Sequence, residues 1–72
     1  MGLPMHTHKL VRDGDVVRVY TDGKPTMMAF NTDKIFDIRM FVQGGGLSEG
    51  DVDKKMAELF SPTGETEIQD LK

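Results

Sequence analysis

The sequence predicts a small α+β domain, with a three-stranded antiparallel β-meander over about residues 8–31 and two short helices packed on one face. Three observations indicate this class. In the first half of the chain, two turn sequences separate runs rich in β-branched residues. In the second half, apolar residues recur at helical spacing. The length of 72 residues suits one small hydrophobic core and is too short for two.

The first strand pair is predicted from Asp13-Gly14, a dipeptide typical of two-residue hairpin turns. It lies between Lys9–Arg12 and Val16–Thr21, which both favour strands. With Asp13 and Gly14 as the central residues, opposite charges pair beside the turn and apolar side chains pair beyond it. The expected pairs are Arg12 with Asp15, Val11 with Val16 and Leu10 with Val17.

The third strand is predicted to follow a four-residue loop at Asp22–Pro25. A two-residue loop at Asp22-Gly23 would instead set Tyr20 opposite Pro25 and interrupt the apolar face of the meander. Because the buried face determines strand register, we expect the longer loop. The core-facing residues of the meander are then Leu10, Val17, Val19, Met28 and Phe30.

Residues 33–43 have two interpretations. In a helix, Thr32 is the N-cap and Gly44 marks the C-terminal end. In a strand, alternate apolar residues line one face. The helix has suitable signals at both ends, so we expect it, and the strand stays open as the alternative.

Residues 48–60 predict the second helix more clearly. Ser48 is the expected N-cap, and Asp51 takes the place of the glutamate in a capping box. Ser61-Pro62 ends the helix. The apolar stripe of this helix consists of Val52, Met56, Leu59 and Phe60.

Residues 8–62 are therefore expected to form one domain, with weaker signals at both ends of the chain. Residues 1–7 are expected to be a flexible leader, and residues 63–72 a polar tail or a short edge strand. The start has neither the basic residues nor the long apolar stretch of a signal peptide. No apolar run approaches the ~20 residues that span a bilayer. We expect a cytoplasmic protein that does not bind membranes.

The residue pattern predicts no catalytic residues, no metal site and no cofactor. The sequence contains no cysteine, which excludes thiolate ligands and cysteine nucleophiles. His6 and His8 could face the same side of an extended segment, but no third ligand follows at the spacing of a zinc site. The glycines at 44–46 lack the lysine that completes a phosphate-binding loop. We expect a protein that is not an enzyme.

The charge is distributed unevenly along the chain. Residues 1–43 carry six basic and five acidic residues, whereas residues 44–72 carry three basic and seven acidic residues. An acidic surface repels nucleic-acid phosphates and suits a basic partner. We therefore expect a larger basic protein or ribonucleoprotein as the partner, without direct binding to nucleic acid. The acidic residues expected to contact it are Glu49, Asp51, Asp53 and Glu58.

The second face of the meander is the other candidate binding surface. If both helices cover the face with Leu10 and Phe30, the opposite face stays open, and an open apolar face often marks an interaction site. Aromatic residues, methionine and arginine are enriched in the cores of such sites. The candidate contact residues on this face are Val11, Val16, Arg18, Tyr20 and Met27.

Two resemblances bear on function. Residues 14–23 resemble a strand and turn of small SH3-like or KOW barrels, which implies a protein-binding or nucleic-acid-binding module. The order of a hairpin, a helix start after Phe30-Asn31-Thr32, a glycine-rich break and an amphipathic helix is similar in plan to several small phage-encoded inhibitors, including anti-CRISPR proteins. Our principal hypothesis is a non-enzymatic inhibitor or regulator that binds protein, and a homodimer is one alternative. A nucleic-acid module is the other, with phosphate contacts from Lys9, Arg12, Arg18 and Lys24.

Overall fold

The computed structural model describes residues 5–44 and 46–71, which form a four-stranded antiparallel sheet with two helices packed against one face. The strand order is β3-β2-β1-β4. This arrangement confirms the predicted α+β class. In chain order the elements are β1 Met5–Asp13, β2 Val16–Thr21, β3 Lys24–Asn31, α1 Ile35–Gln43, α2 Glu49–Leu59 and β4 Glu65–Leu71.

The fourth strand corrects the predicted strand count of three. β4 pairs antiparallel with β1, from Met5 opposite Leu71 to Val11 opposite Glu65. The edge strand was one of the two alternatives for residues 63–72, and it extends over nearly all of that segment. The same pairing begins β1 at Met5, so residues 5–7 are part of the sheet and not of a leader. Residues 1–4 of the expected leader lie outside the described residues.

The first turn is displaced by one residue from the prediction. Asp13 pairs with Val16, so the central residues are Gly14 and Asp15. Gly14 has a φ of +63°, and Asp15 is not among the residues with positive φ. This is the pattern of a type II′ turn, which needs glycine at the first central position. The observed pairs are therefore Arg12 with Val17, Val11 with Arg18 and Leu10 with Val19.

The second turn is a two-residue loop followed by a bulge, not the predicted four-residue loop. Asp22 and Gly23, with φ values of +52° and +82°, form a two-residue loop that sets Tyr20 opposite Pro25. Beyond it, a bulge in β3 places three residues opposite Val19 and restores the predicted pairing of Val17 with Phe30. The preference for a four-residue loop was therefore wrong, although the predicted register beyond the bulge is correct.

Both predicted helices are present, with one difference in capping. The N-cap of α1 is Lys34, not Thr32, and Lys34 makes no side-chain cap. Thr32 lies before the helix, and its backbone N–H donates to the Asp15 carbonyl at 2.8 Å. Gly44 ends α1 as expected, in the right-handed helical region. In α2 the Ser48 hydroxyl accepts a hydrogen bond from the Asp51 N–H at 3.3 Å, as predicted.

The core lies between the two helices and one face of the sheet. Leu10, Val17 and Val19 are fully buried there, as predicted. Phe30 is only partly buried at the margin, and Met28 is 45% exposed because it belongs to the bulge. The buried apolar residues are Leu10, Val17, Val19, Ile38, Val42, Val52, Met56, Leu59 and Ile68.

Candidate functional site

The sheet face opposite the helices, called the outer face below, is open. Strand alternation places odd-numbered residues of β1 and even-numbered residues of β2 on this face. No described element packs over it, because both helices bury their apolar residues with Leu10 and Ile68 on the other face. The outer-face residues include Lys9, Val11, Val16, Arg18, Tyr20, Glu65 and Glu67.

Four of the predicted contact residues share the outer face: Val11, Val16, Arg18 and Tyr20. Val11 lies opposite Arg18, not opposite Val16, because the first turn is displaced. Val11, Val16 and Tyr20 are half-buried by their neighbours, and Arg18 is exposed. The outer face therefore presents a mixed polar surface with a limited apolar area.

A shallow depression of about 420 Å³ occupies one part of the outer face. Within it, the Lys9 ammonium lies 3.0 Å from a Glu65 carboxylate oxygen. The hydrogen bond and the negative charge of Glu65 raise the pKa of Lys9 above its ordinary value. Arg18 is 3.8 Å from the Asp13 carboxylate. The depression is lined by Thr7, Lys9, Val11, Tyr20, Gly23 and Glu67.

Met27 lies in the bulge of β3, and its predicted pairing with Tyr20 is wrong. It projects from the bulge in β3 and is fully exposed, while Tyr20 pairs with Pro25. Two hydrogen bonds hold the bulge. The Thr26 hydroxyl donates to the Val19 carbonyl at 2.8 Å and accepts from the Met28 N–H at 3.1 Å.

The four predicted acidic contacts on α2 do not form one cluster. Asp53 lies beside α1, where a carboxylate oxygen is 2.6 Å from an Arg39 guanidinium nitrogen. Glu58 lies beside β4 and accepts a hydrogen bond from the Thr66 hydroxyl at 2.7 Å. Glu49 and Asp51 are exposed in the first turn. All four are in the helix layer, on the opposite side of the molecule from the outer face.

The four basic residues of the nucleic-acid alternative do not share a surface. Arg12 lies on the helix-covered face, where its guanidinium donates to the carbonyls of Leu59 and Ser61 at 3.2 and 2.9 Å. It satisfies backbone acceptors at the C-terminal end of α2 and is therefore engaged in the fold. Lys9 and Arg18 each lie beside a carboxylate.

The histidines have structural contacts. His6 Nδ1 is 2.8 Å from Asp22, and His8 Nδ1 is 2.9 Å from the Thr21 hydroxyl. His8 also makes an edge-on ring contact with Phe41, at a centroid distance of 5.8 Å. Within residues 5–44 and 46–71, no group of three or more histidine or carboxylate side chains could hold a metal ion.

In the described part of the chain, the large exposed apolar side chains on a helix are in α1, and they were not among the predicted contact residues. Phe36 is 72% exposed and Met40 is 53% exposed, one helical turn apart. Ile35 beside them is also exposed, whereas Ile38 and Val42 on the other side of α1 are buried. The signal was present in the sequence, because apolar residues surround this helix and one face can cover only some of them.

No family model matches the chain, and comparisons with curated proteins and with solved structures found no significant match. Neither helix in the described part of the chain is both long and apolar enough to cross a membrane.

Proposed function

We propose that this chain is a non-enzymatic protein-binding module that uses the exposed apolar side of α1. The observation that carries the proposal is the exposure of Phe36 and Met40 on a helix whose opposite side is buried. Burying a side chain of this kind contributes about 1.5–3 kcal/mol, so two neighbouring residues are a substantial source of binding energy. Aromatic residues and methionine are also enriched in interface cores.

Two exposed carboxylates beside α1 suit basic residues of a partner. Asp33 precedes the helix and Asp37 lies in its first turn, and both are exposed. Arg39 is already paired with Asp53. A partner that buries Phe36 and Met40 while placing basic residues beside the free carboxylates gains attraction at the rim as well as apolar contact.

Within this proposal, the role is that of a cytoplasmic inhibitor or regulator of a larger basic protein or ribonucleoprotein, of the kind that phages and mobile elements encode. The net charge of −3, the small size and the order of elements support this role. The titratable groups also support binding over catalysis, because Asp22, Asp53 and Glu58 are engaged in hydrogen bonds within the fold.

The proposal is tested by affinity capture from a cell lysate, followed by measurement of the affinity for the purified captured protein. Phe36→Ala with Met40→Ala is expected to weaken binding about 10- to 100-fold, because a few well-buried side chains carry most of the energy of an interface. Alanine favours helix, so α1 should be retained. Met27→Ala is the matched control, since Met27 is also exposed but lies in β3.

Two outcomes would contradict the proposal. One is unchanged affinity in the double α1 variant. The other is a molar mass in solution that corresponds to a dimer and returns to that of a monomer in the same variant. In that case α1 would bind a second copy of the chain, and the homodimer alternative would replace the proposed partner.

A further inference from the structure

The strand at one edge of the sheet, β4, is open to a further strand. It is seven residues long, and its outer side pairs with no described strand. Its register with β1 is continuous, without a bulge. The opposite edge strand, β3, differs, because it begins with Lys24-Pro25 and contains the bulge. Lysine, proline and bulges all hinder strand addition, so β4 is the better template of the two edges.

The hydrogen bonds of β1 show which backbone groups of β4 are available. The Arg12 N–H donates to the Gly64 carbonyl at 2.7 Å. Even-numbered residues of β1 therefore form backbone hydrogen bonds with the residues opposite them in β4. By alternation, Thr66 and Ile68 bond to β1. The backbone groups of Glu65, Glu67 and Gln69 therefore face the open edge.

The charge at this edge selects the strand that can pair with it. Glu65 and Glu67 place two carboxylates on the outer face, and Lys9 is a cation beside both. On the other side of the same edge, Glu58 is exposed and contacts Thr66. A second copy of β4 would bring like charges together, whereas a basic strand would meet opposite charges.

The sheet already contains one example of the favourable contact. Lys9 lies opposite Glu67 on the neighbouring strand, and its ammonium reaches Glu65 at 3.0 Å. A lysine or arginine on a strand added at the other side of β4 would lie one strand away from Glu65 and Glu67, as Lys9 does.

From these observations we infer that β4 accepts an extended, basic segment of a partner protein as a fifth strand. The main-chain groups of Glu65, Glu67 and Gln69 supply the hydrogen bonds, and the two carboxylates bind lysine or arginine side chains of the segment. This inference rests on the proposed function and deepens it. It identifies one binding segment of the partner protein as extended and basic.

The test uses a capped peptide of alternating lysine and valine as the probe, with a glutamate–valine peptide as its control. Backbone amide exchange of the full chain is followed by NMR at peptide concentrations up to about 5 mM, because an isolated strand is expected to bind with a millimolar dissociation constant. The lysine peptide should slow exchange at Glu65, Glu67 and Gln69 and leave β3 unchanged. Unchanged exchange at the three β4 amides would overturn the inference.

Two variants separate backbone pairing from attraction between charges. Glu67→Pro removes an outward N–H together with one carboxylate, keeps every bond to β1, and is tolerated by an edge strand in that orientation. Its effect beyond that of the glutamine variant below, which removes both carboxylates, measures the backbone pairing. The proline variant should abolish the slowing. Glu65→Gln with Glu67→Gln should weaken peptide binding about tenfold, whereas Asp33→Asn with Asp37→Asn changes the net charge equally and should not. Slowing that survives Glu67→Pro in a folded protein, or equal weakening by both charge variants, would contradict the inference.

The same measurements distinguish the inference from the proposed function. Phe36→Ala with Met40→Ala should leave peptide binding at β4 intact. If the peptide fails to protect β4 while capture of the partner remains sensitive to the α1 variant, strand addition is wrong and the proposed function stands. If the peptide protects β4 while the α1 variant has no effect on capture, the assignment of α1 is wrong.

Discussion

At the scale of single residues, Asp22 both forms a turn and contacts β1. Its positive φ forms the second turn, and its N–H donates to the Thr7 carbonyl at 2.8 Å. Its carboxylate accepts a hydrogen bond from the Thr7 N–H at 3.0 Å and lies 2.8 Å from His6 Nδ1. One residue therefore joins the β2–β3 turn to the beginning of β1.

These contacts predict a pH-dependent contribution to stability. The His6 hydrogen bond and then the Thr7 N–H lower the pKa of Asp22 below its ordinary value. A carboxyl group with a lower pKa in the folded state stabilises the fold above its unfolded pKa of about 4, and the stabilisation is lost as pH falls through the folded value. Asp22→Asn should therefore lower the thermal midpoint at neutral pH slightly, and the difference should vanish in acid.

Asn is the suitable substitution because it tolerates positive φ. Asp15→Asn is the matched control, since this exposed turn carboxylate makes no hydrogen bond to the described part of the chain. Thermal midpoints are measured from pH 2 to pH 7 for both variants and the parent. A difference for Asp22→Asn that persists in acid, or an equal pattern for Asp15→Asn, would contradict this explanation.

At the scale of elements, the bulge in β3 reconciles a tight turn with a buried face. The two-residue loop requires Tyr20 opposite Pro25, whereas the core requires Val17 opposite Phe30. The Thr26 hydroxyl bonds both to the Val19 carbonyl and to the Met28 N–H, in place of regular ladder bonds. The bulge is therefore part of how the strand register is determined.

Removing the hydroxyl tests the role of the bulge. Thr26→Val keeps the β-branched shape and should lower the free energy of unfolding by about 0.5–1.5 kcal/mol, the net value of a typical hydrogen bond. Thr26→Ser keeps the hydroxyl and should retain most of the stability. Urea unfolding of both variants provides the measurement. Equal stability of Thr26→Val and the parent would show that the hydroxyl does not hold the bulge.

Local sequence signals account for the helices and for the location of the turns, though not for the turn types, better than for β4. Ser48 and the apolar stripe of α2 are short-range patterns, and the structure contains both. Within residues 65–69 of β4, Ile68 is the buried apolar residue and Thr66 the buried polar one. Thr66 is buried at low cost because its hydroxyl bonds to Glu58. No local pattern shows that this polar segment pairs with β1 at the other end of the chain.

At the scale of the whole molecule, the arrangement of layers decides which predicted site residues can act together. Four of the predicted contact residues lie on the open outer face. The acidic residues of α2 are on the opposite layer, so the nine candidate residues cannot contact one flat partner surface. Arg12 shows a further limit, because only the tertiary fold reveals that it bonds to carbonyls at the end of α2.

The exposed side of α1 follows from the same arrangement. The sheet can bury only one side of α1, through Ile38 and Val42. α2 lies alongside and contributes the Asp53 contact to Arg39. The remaining apolar side faces solvent in the isolated chain, and we propose that a partner protein covers it.

The most direct test of this claim uses the methionines as reporters. Methyl NMR of the chain with labelled methionine follows Met27, Met40 and the buried Met56 while the purified captured partner is added. Our account predicts that the Met40 methyl signal shifts or broadens most strongly and that Met27 and Met56 change much less. A Met40 signal that stays unchanged while the partner binds would contradict it.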